Sequence, residues 1–111
     1  MNSALPRQPP VEHVPEDQVR LSVTGDESAA VWELLSSTTA RAIVATIEEE
    51  PKPASEIATA VGTSLQNTCY HLDRLVDGDL IEPTQTWYSK KGREMTVYAL
   101  RTRELVIRFC D

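Results

Sequence analysis

Residues 55–78 read SEIATAVGTSLQNTCYHLDRLVDG, and this stretch decides the fold. Ile57, Ala58 and Val61 recur at helical spacing after Ser55, whose hydroxyl can cap a free amide of a first turn. Gly62 supplies the permissive backbone of a tight exit. Ser64 then restarts a helix with an inward stripe of Leu65, Thr68, Leu72, Leu75 and Val76, and Gly78 ends it.

A short helix, a turn at Gly62 and Thr63, and a longer helix with a polar face have the spacing of a helix-turn-helix. Upstream, Asp26 is placed to cap a helix carrying Ala30, Val31, Leu34 and Leu35 on one face. Ser37 or Thr38 can cap another, with Ala40, Ile43, Val44 and Ile47 inward, stopped by Pro51 and Pro53. Downstream the period changes. Leu80, Ile81, Thr84, Thr86, Trp87 and Tyr88, then Met95, Val97 and Tyr98, read as two strands around the turn Ser89 to Arg93. A basic hairpin directly after such a helix is a wing. The expected fold is therefore mainly α with a small β-hairpin wing: a winged helix-turn-helix, a three-helix core plus an antiparallel hairpin.

The expected domain spans 26–100. A flexible N-terminal arm, 1–25, precedes it, with Pro6, Pro9, Pro10 and Pro15 among polar residues. Within that arm Val19, Leu21 and Val23 alternate as in a short strand or docked extended segment. A short C-terminal segment, 101–111, with Leu105, Val106, Ile107 and Phe109, fits either a third strand or a helical turn.

The chain has 111 residues and a formal net charge of -6, which argues against a simple basic nucleic-acid binder. The charge is uneven. From Lys90 to Arg108, Lys90, Lys91, Arg93, Arg101, Arg103 and Arg108 are opposed only by Glu94 and Glu104. The acidic remainder reads as an ordinary acidic surface or a salt-adapted one. Cys69 and Cys110 show neither close spacing nor a secretory context, so a reduced, cytoplasmic protein is expected. No apolar run approaches the roughly 20 residues of a membrane span, so no membrane association is expected.

Gln66, Asn67, Tyr70, His71 and Arg74 fall off the inward stripe of the helix that Ser64 opens. Amides and guanidinium groups can pair with base edges, and Tyr or His with phosphates. Asp73 and Asp77 would repel phosphate, which confines contact to the N-terminal half. Lys90, Lys91 and Arg93 at the hairpin tip can reach the backbone or the minor groove. Thr39 and Arg41, at the start of their helix, read either as phosphate contacts or as simple capping. Cys69 and His71, two apart on a helix, point in nearly opposite directions and form no metal or nucleophile pair, so Cys69 is expected partly buried and His71 exposed. Trp32 and Trp87 read as core or dimer-interface anchors. Nothing assembles into a catalytic constellation, and no enzyme activity, metal or cofactor is expected.

The runs LLSSTTARAIV (34–44), SEIA (55–58), SLQNTCYHLDRL (64–75) and WYSKKGREMTVYA (87–99) resemble the ArsR-like winged-helix regulators, in particular the version common in halophilic archaea. The likeness runs from about Glu27 to Leu100, and its most specific part is the Tyr-His-Leu helix joined to the Tyr-Ser-x-x-Gly-Arg-Glu-Met wing. It implies a cytoplasmic transcriptional regulator, a homodimer that sets its recognition helix in the major groove of double-stranded DNA, and it favours the salt-adapted reading of the surface. The metal-sensing members carry a Cys-x-Cys pair that is missing around Cys69, so metal sensing is not carried over, and any effector stays open. The chain stops soon after the wing, so the usual dimer contacts are expected to be partly missing. The competing expectation, from the net charge, is a winged-helix protein-interaction module whose apolar C-terminal strand pairs with a partner.

Overall fold

The structure, a computed structural model, describes residues 15–109. Chain order is β1 (Glu16–Ser22), α1 (Asp26–Leu35), α2 (Thr38–Glu49), β2 (Lys52–Pro53), α3 (Ala54–Val61), α4 (Leu65–Asp77), β3 (Ile81–Tyr88), β4 (Glu94–Leu100) and β5 (Thr102–Arg108). The expected three-helix core and antiparallel hairpin are present. The strand content exceeds the expectation because β2 extends the hairpin into a sheet ordered β2-β4-β3, and β1 and β5 form a separate ribbon.

Ala40, Ile43 and Ile47 of α2, Ile57 of α3, Leu72 and Leu75 of α4 and Ile81 of β3 make one buried cluster. Each helix supplies apolar residues three or four apart, the spacing that forms one stripe. The α2 stripe starts where expected, since Ser37 Oγ accepts from the Ala40 amide at 3.1 Å. In α1 two expectations fail. Gly25, not Asp26, is the N-cap, and Asp26 is the first helical residue, where its charge still favours the amide end of the dipole. The entry is fixed instead by Ser28, buried, whose hydroxyl reaches the carbonyls of Ser22 and, at 2.9 Å, Gly25. Ala30 is exposed, because the α1 face that turns fully into the interior is Ser28, Val31 and Leu34.

Prolines 51 and 53 stop α2, and Lys52 and Pro53 pair with Tyr98 and Val97 of β4, a pairing with no sign in the residue pattern. Pro53 lacks an amide to donate and is tolerated at an outer strand. Its fixed backbone also starts α3 at Ala54. The N-cap is therefore Pro53, and Ser55 is an exposed helical residue, not the expected cap. Gly62 closes α3 with φ of 82° and its amide on Ala58 O at 2.9 Å.

Helix α4 ends in a Schellman pairing: Leu80 N–H donates to Leu75 O and Asp79 N–H to Val76 O, both at 3.0 Å, with Asp79 at φ 62°. Gly78 is needed for a different reason, since a Cβ there would stand 2.5 Å from Leu34 Cδ1. Strands β3 and β4 then pair from Ile81↔Leu100 to Tyr88↔Glu94, with a register shift between Pro83 and Gln85. A bulge is a usual place for a proline within a sheet.

The open choice for the C-terminal segment resolves as strand. β5 pairs in parallel with β1, Val19 opposite Leu105 and Leu21 opposite Ile107. The alternation noted at Val19 and Leu21 is that of β1, so the stretch expected as an arm holds a strand at 16–22, and its residues 1–14 lie outside the described residues. Cys110 also lies outside them. Among the described residues no helix is long and apolar enough to cross a membrane.

Candidate nucleic-acid interface

Ser64 fixes where α4 begins. Its hydroxyl accepts from the Asn67 amide at 3.0 Å, and its carbonyl accepts from Thr68 Oγ1 at 2.9 Å, which satisfies the one polar side chain on the buried stripe. Thr68, Leu72 and Leu75 then anchor the helix inward, and Gln66, Tyr70, Asp73 and Asp77 are exposed. Tyr70 is 54% exposed. Leu65, expected on the inward stripe, is 52% exposed.

Not every residue expected on this face is free to meet a partner. Asn67 Nδ2 donates to Thr63 Oγ1 at 3.0 Å and is half-buried, so it ties the turn to the helix. Arg74 Nη1 donates to Tyr70 Oη at 2.9 Å, its guanidinium carbon sits 5.5 Å from the Tyr70 ring centroid, and Nη2 is 3.7 Å from Glu33 of α1. A cation near a helix C-terminus also meets the favourable end of the dipole. His71 is half-buried, its ring edge-on to Tyr70 at 5.2 Å. Cys69 is exposed, so the expected burials of Cys69 and His71 are reversed. Cys69 lines the open groove beside the wing, whereas His71 is partly covered by the Tyr70 ring.

The wing turn is built by Ser89. Its carbonyl accepts from Gly92 N–H at 2.9 Å, its amide donates to Arg93 O at 2.9 Å, and its hydroxyl accepts from Arg93 N–H at 3.1 Å. Gly92 takes φ of 75°. Lys90, Lys91 and Arg93 are all exposed on this turn. Arg93 is also the wing cation brought beside α4. With Glu94, Met95, Thr96 and Tyr98 of β4 it lines a groove of about 420 Å³, whose other wall holds Leu65, Cys69 and the Pro53–Ser55 start of α3.

That groove is what the sequence reading missed. Leu65, Cys69 and Tyr98 share it only because β2 docks α3 onto β4, a two-residue pairing with no periodic signal. Burial, then Asp73 and Cys69, push the Tyr98 phenol above its ordinary value, so at neutral pH it is an uncharged hydroxyl. Thr39 and Arg41 sit elsewhere. Arg41 Nη1 donates to Leu35 O at 2.6 Å, which closes the end of α1, and Thr39 is half-buried. Trp87 is buried in the core and Trp32 is 53% exposed on α1. Among the described residues no group of three or more His, Cys, Asp and Glu side chains is gathered for a metal.

Three core helices, a glycine turn and a basic hairpin against the second helix of the pair define a winged helix-turn-helix protein. Residues 35–84 match a family model described as a helix-turn-helix domain. Solved structures share the fold. A homodimeric winged helix-turn-helix DNA-binding domain from Mycobacterium bovis, fragment 1-100 of a possible ArsR-family transcriptional regulator, superimposes with a TM-score of 0.59 at 22% identity over 68% of this chain. The match spans 65% of that fragment. An ArsR-like transcriptional regulator from Rhodococcus sp. RHA1 is 30% identical, with a TM-score of 0.56 over 67% of this chain and 64% of its own. NolR from Sinorhizobium fredii superimposes at 0.57 with 17% identity, over 70% of this chain and 72% of its own. No curated protein matches the chain in sequence.

Proposed function

We propose that this chain is an ArsR-like transcriptional regulator that binds duplex DNA as a homodimer in the cytoplasm, without catalytic activity. The observation that carries the reading is an outward polar α4 face, with Gln66 and Tyr70 exposed, together with an exposed basic wing turn whose Arg93 shares a groove with Leu65 and Cys69 of α4. In this reading the N-terminal half of α4 enters the major groove and Gln66 reads base edges, where an amide suits adenine. Tyr70 contacts a phosphate, held in place by Arg74, and Lys90, Lys91 and Arg93 neutralise backbone phosphates beside it. Asp73 and Asp77 keep the C-terminal half of α4 off the duplex. Ser64, Asn67 and His71 serve the site from within the helix, while Arg41, bound to Leu35 O, and the half-buried Thr39 are given no contact with the duplex. The relatives from Mycobacterium bovis and Rhodococcus, described as regulators, support the class.

Capture of genomic fragments by the full chain, followed by gel-shift titration of a recovered fragment, tests this. Gln66→Ala is expected to weaken binding about tenfold and to relax preference at one base pair. Replacing Lys90 and Lys91 together by alanine should weaken all fragments alike. Retention of a stoichiometric protein partner and no enriched DNA would instead support a protein-interaction module, the reading that the net charge of -6 favours.

A further inference from the structure

We propose that the free edge of β5 pairs antiparallel with β5 of a second copy, in a two-fold register centred on Val106. This rests on the dimeric reading above and supplies its interface. Among the described residues β5 has one neighbour, β1, and the two form a two-stranded sheet. An unpaired edge is a template for another strand, and a two-stranded ribbon gains stability by extension.

The backbone fixes which residues can pair. Val23 N–H donates to Arg108 O at 2.8 Å, so the Arg108 carbonyl faces β1. Strand alternation turns the peptide groups of Val106 and Glu104 the same way, and those of Arg103, Leu105 and Ile107 outward. A two-fold pairing must set outward groups opposite outward groups, so its axis passes through a residue, never between two.

Several centres are available, and those about Arg103 or Glu104 would set like charges face to face across the axis. About Leu105, Glu104 would oppose Val106 and Arg103 would oppose Ile107. About Ile107, Val106 would oppose Arg108. About Val106, Leu105 exchanges both backbone hydrogen bonds with Ile107 of the partner subunit, and Glu104 stands opposite Arg108 of the partner subunit, twice by symmetry. Only this register gives charge complementarity together with an apolar cross-strand pair.

The exposures agree. Glu104 and Arg108 are exposed, and neither enters an ion pair among the described residues. Glu104 Oε1 accepts from Gln18 Nε2 at 2.6 Å, which steadies the carboxylate and leaves its second oxygen for the partner. Leu105, Val106 and Ile107 remain half-buried, and Phe109, 86% exposed, would lie opposite Arg103 of the partner subunit. The apolar face formed by Val19, Leu21 and Leu105 already lines the space over Ala30 and Val31 of α1, so a four-stranded sheet would lie across the helices of both copies. The β1 edge is the poorer choice. Its one register that pairs opposite charges, centred on Gln18, sets Glu16 opposite Arg20 but also Asp17 opposite Val19, so it forms no apolar cross-strand pair, and Arg20 Nε already donates to Gln18 Oε1 at 2.6 Å.

The test uses the full chain with Cys69→Ser and Cys110→Ser. Val106→Cys should form a disulfide dimer under mild oxidation, because residues opposite at such a non-hydrogen-bonded site have Cα atoms about 4.5 Å apart. Leu105→Cys should not. In sedimentation, Glu104→Arg or Arg108→Glu should each lower the association constant about tenfold, and the two together should restore it. A dimer that ignores both reversals and refuses the Val106→Cys cross-link overturns this register but leaves the dimeric reading standing. A chain that is monomeric at every concentration overturns both.

Discussion

Gly62 and Gly78 close the two helices of the helix-turn-helix on opposite physical grounds. At Gly62 a Cβ would meet open space, but φ is 82°, a left-handed backbone that costs an ordinary side chain about 1 kcal/mol. At Gly78 the backbone is ordinary, φ of -84°, and the obstacle is Leu34 Cδ1 at 2.5 Å. Asparagine separates the two, since it visits the left-handed region readily yet carries a Cβ. Gly62→Asn should therefore unfold in urea within about 0.5 kcal/mol of the parent, whereas Gly78→Asn should lose about 1–3 kcal/mol through crowding of α1 against α4. Equal losses would show that packing at Leu34 does not decide the Gly78 site. Both glycines were legible in the sequence as helix ends, but the contact that requires Gly78 joins residues 44 apart and leaves no local pattern. Cys69 and His71 illustrate the same limit: their opposition on the helix could be read from spacing, while which of them meets the groove depended on how β2 seats α3.

At the scale of elements, caps and stripes translated well where a polar side chain alone determined the boundary. Ser37 and Ser64 both cap as read, with amides at 3.1 and 3.0 Å. Ser55 and Asp26 satisfied the same residue preference and do not cap, because the preceding Pro53 and Gly25 take that place. Ser64→Ala is expected to cost about 1 kcal/mol and to speed hydrogen exchange at the Asn67 amide. Ser55→Ala, at an exposed helical position, should change stability by less than about 0.5 kcal/mol. A reversed order would show that the turn, not the serine hydroxyl, starts α4. The strands were legible in proportion to their own alternation. The β3–β4 hairpin was clear and β1 and β5 were ambiguous. The two-residue β2 was invisible, since its only signal is a pair of prolines that also reads as a stop.

For the whole molecule the question is how a chain of net charge -6 could hold a polyanion. Distribution answers it. At about 0.15 M salt, charges more than roughly 8 Å apart are largely screened, so the wing acts through its own residues and not through the average. Lys90 and Lys91 are both exposed on the turn that Ser89 and Gly92 shape, free of the long-range cost of distant carboxylates. Each phosphate neutralised contributes about 0.9 to the slope of log affinity against log salt. Replacing Lys90 and Lys91 by alanine should therefore lower that slope by about 2 if one wing is engaged on the duplex, and by about twice as much if a dimer engages two. Fluorescence anisotropy across a salt series on one DNA fragment measures this directly and counts the wings in contact. An unchanged slope would mean that the wing lysines touch no phosphate, and the α4 face would then have to hold the duplex without them.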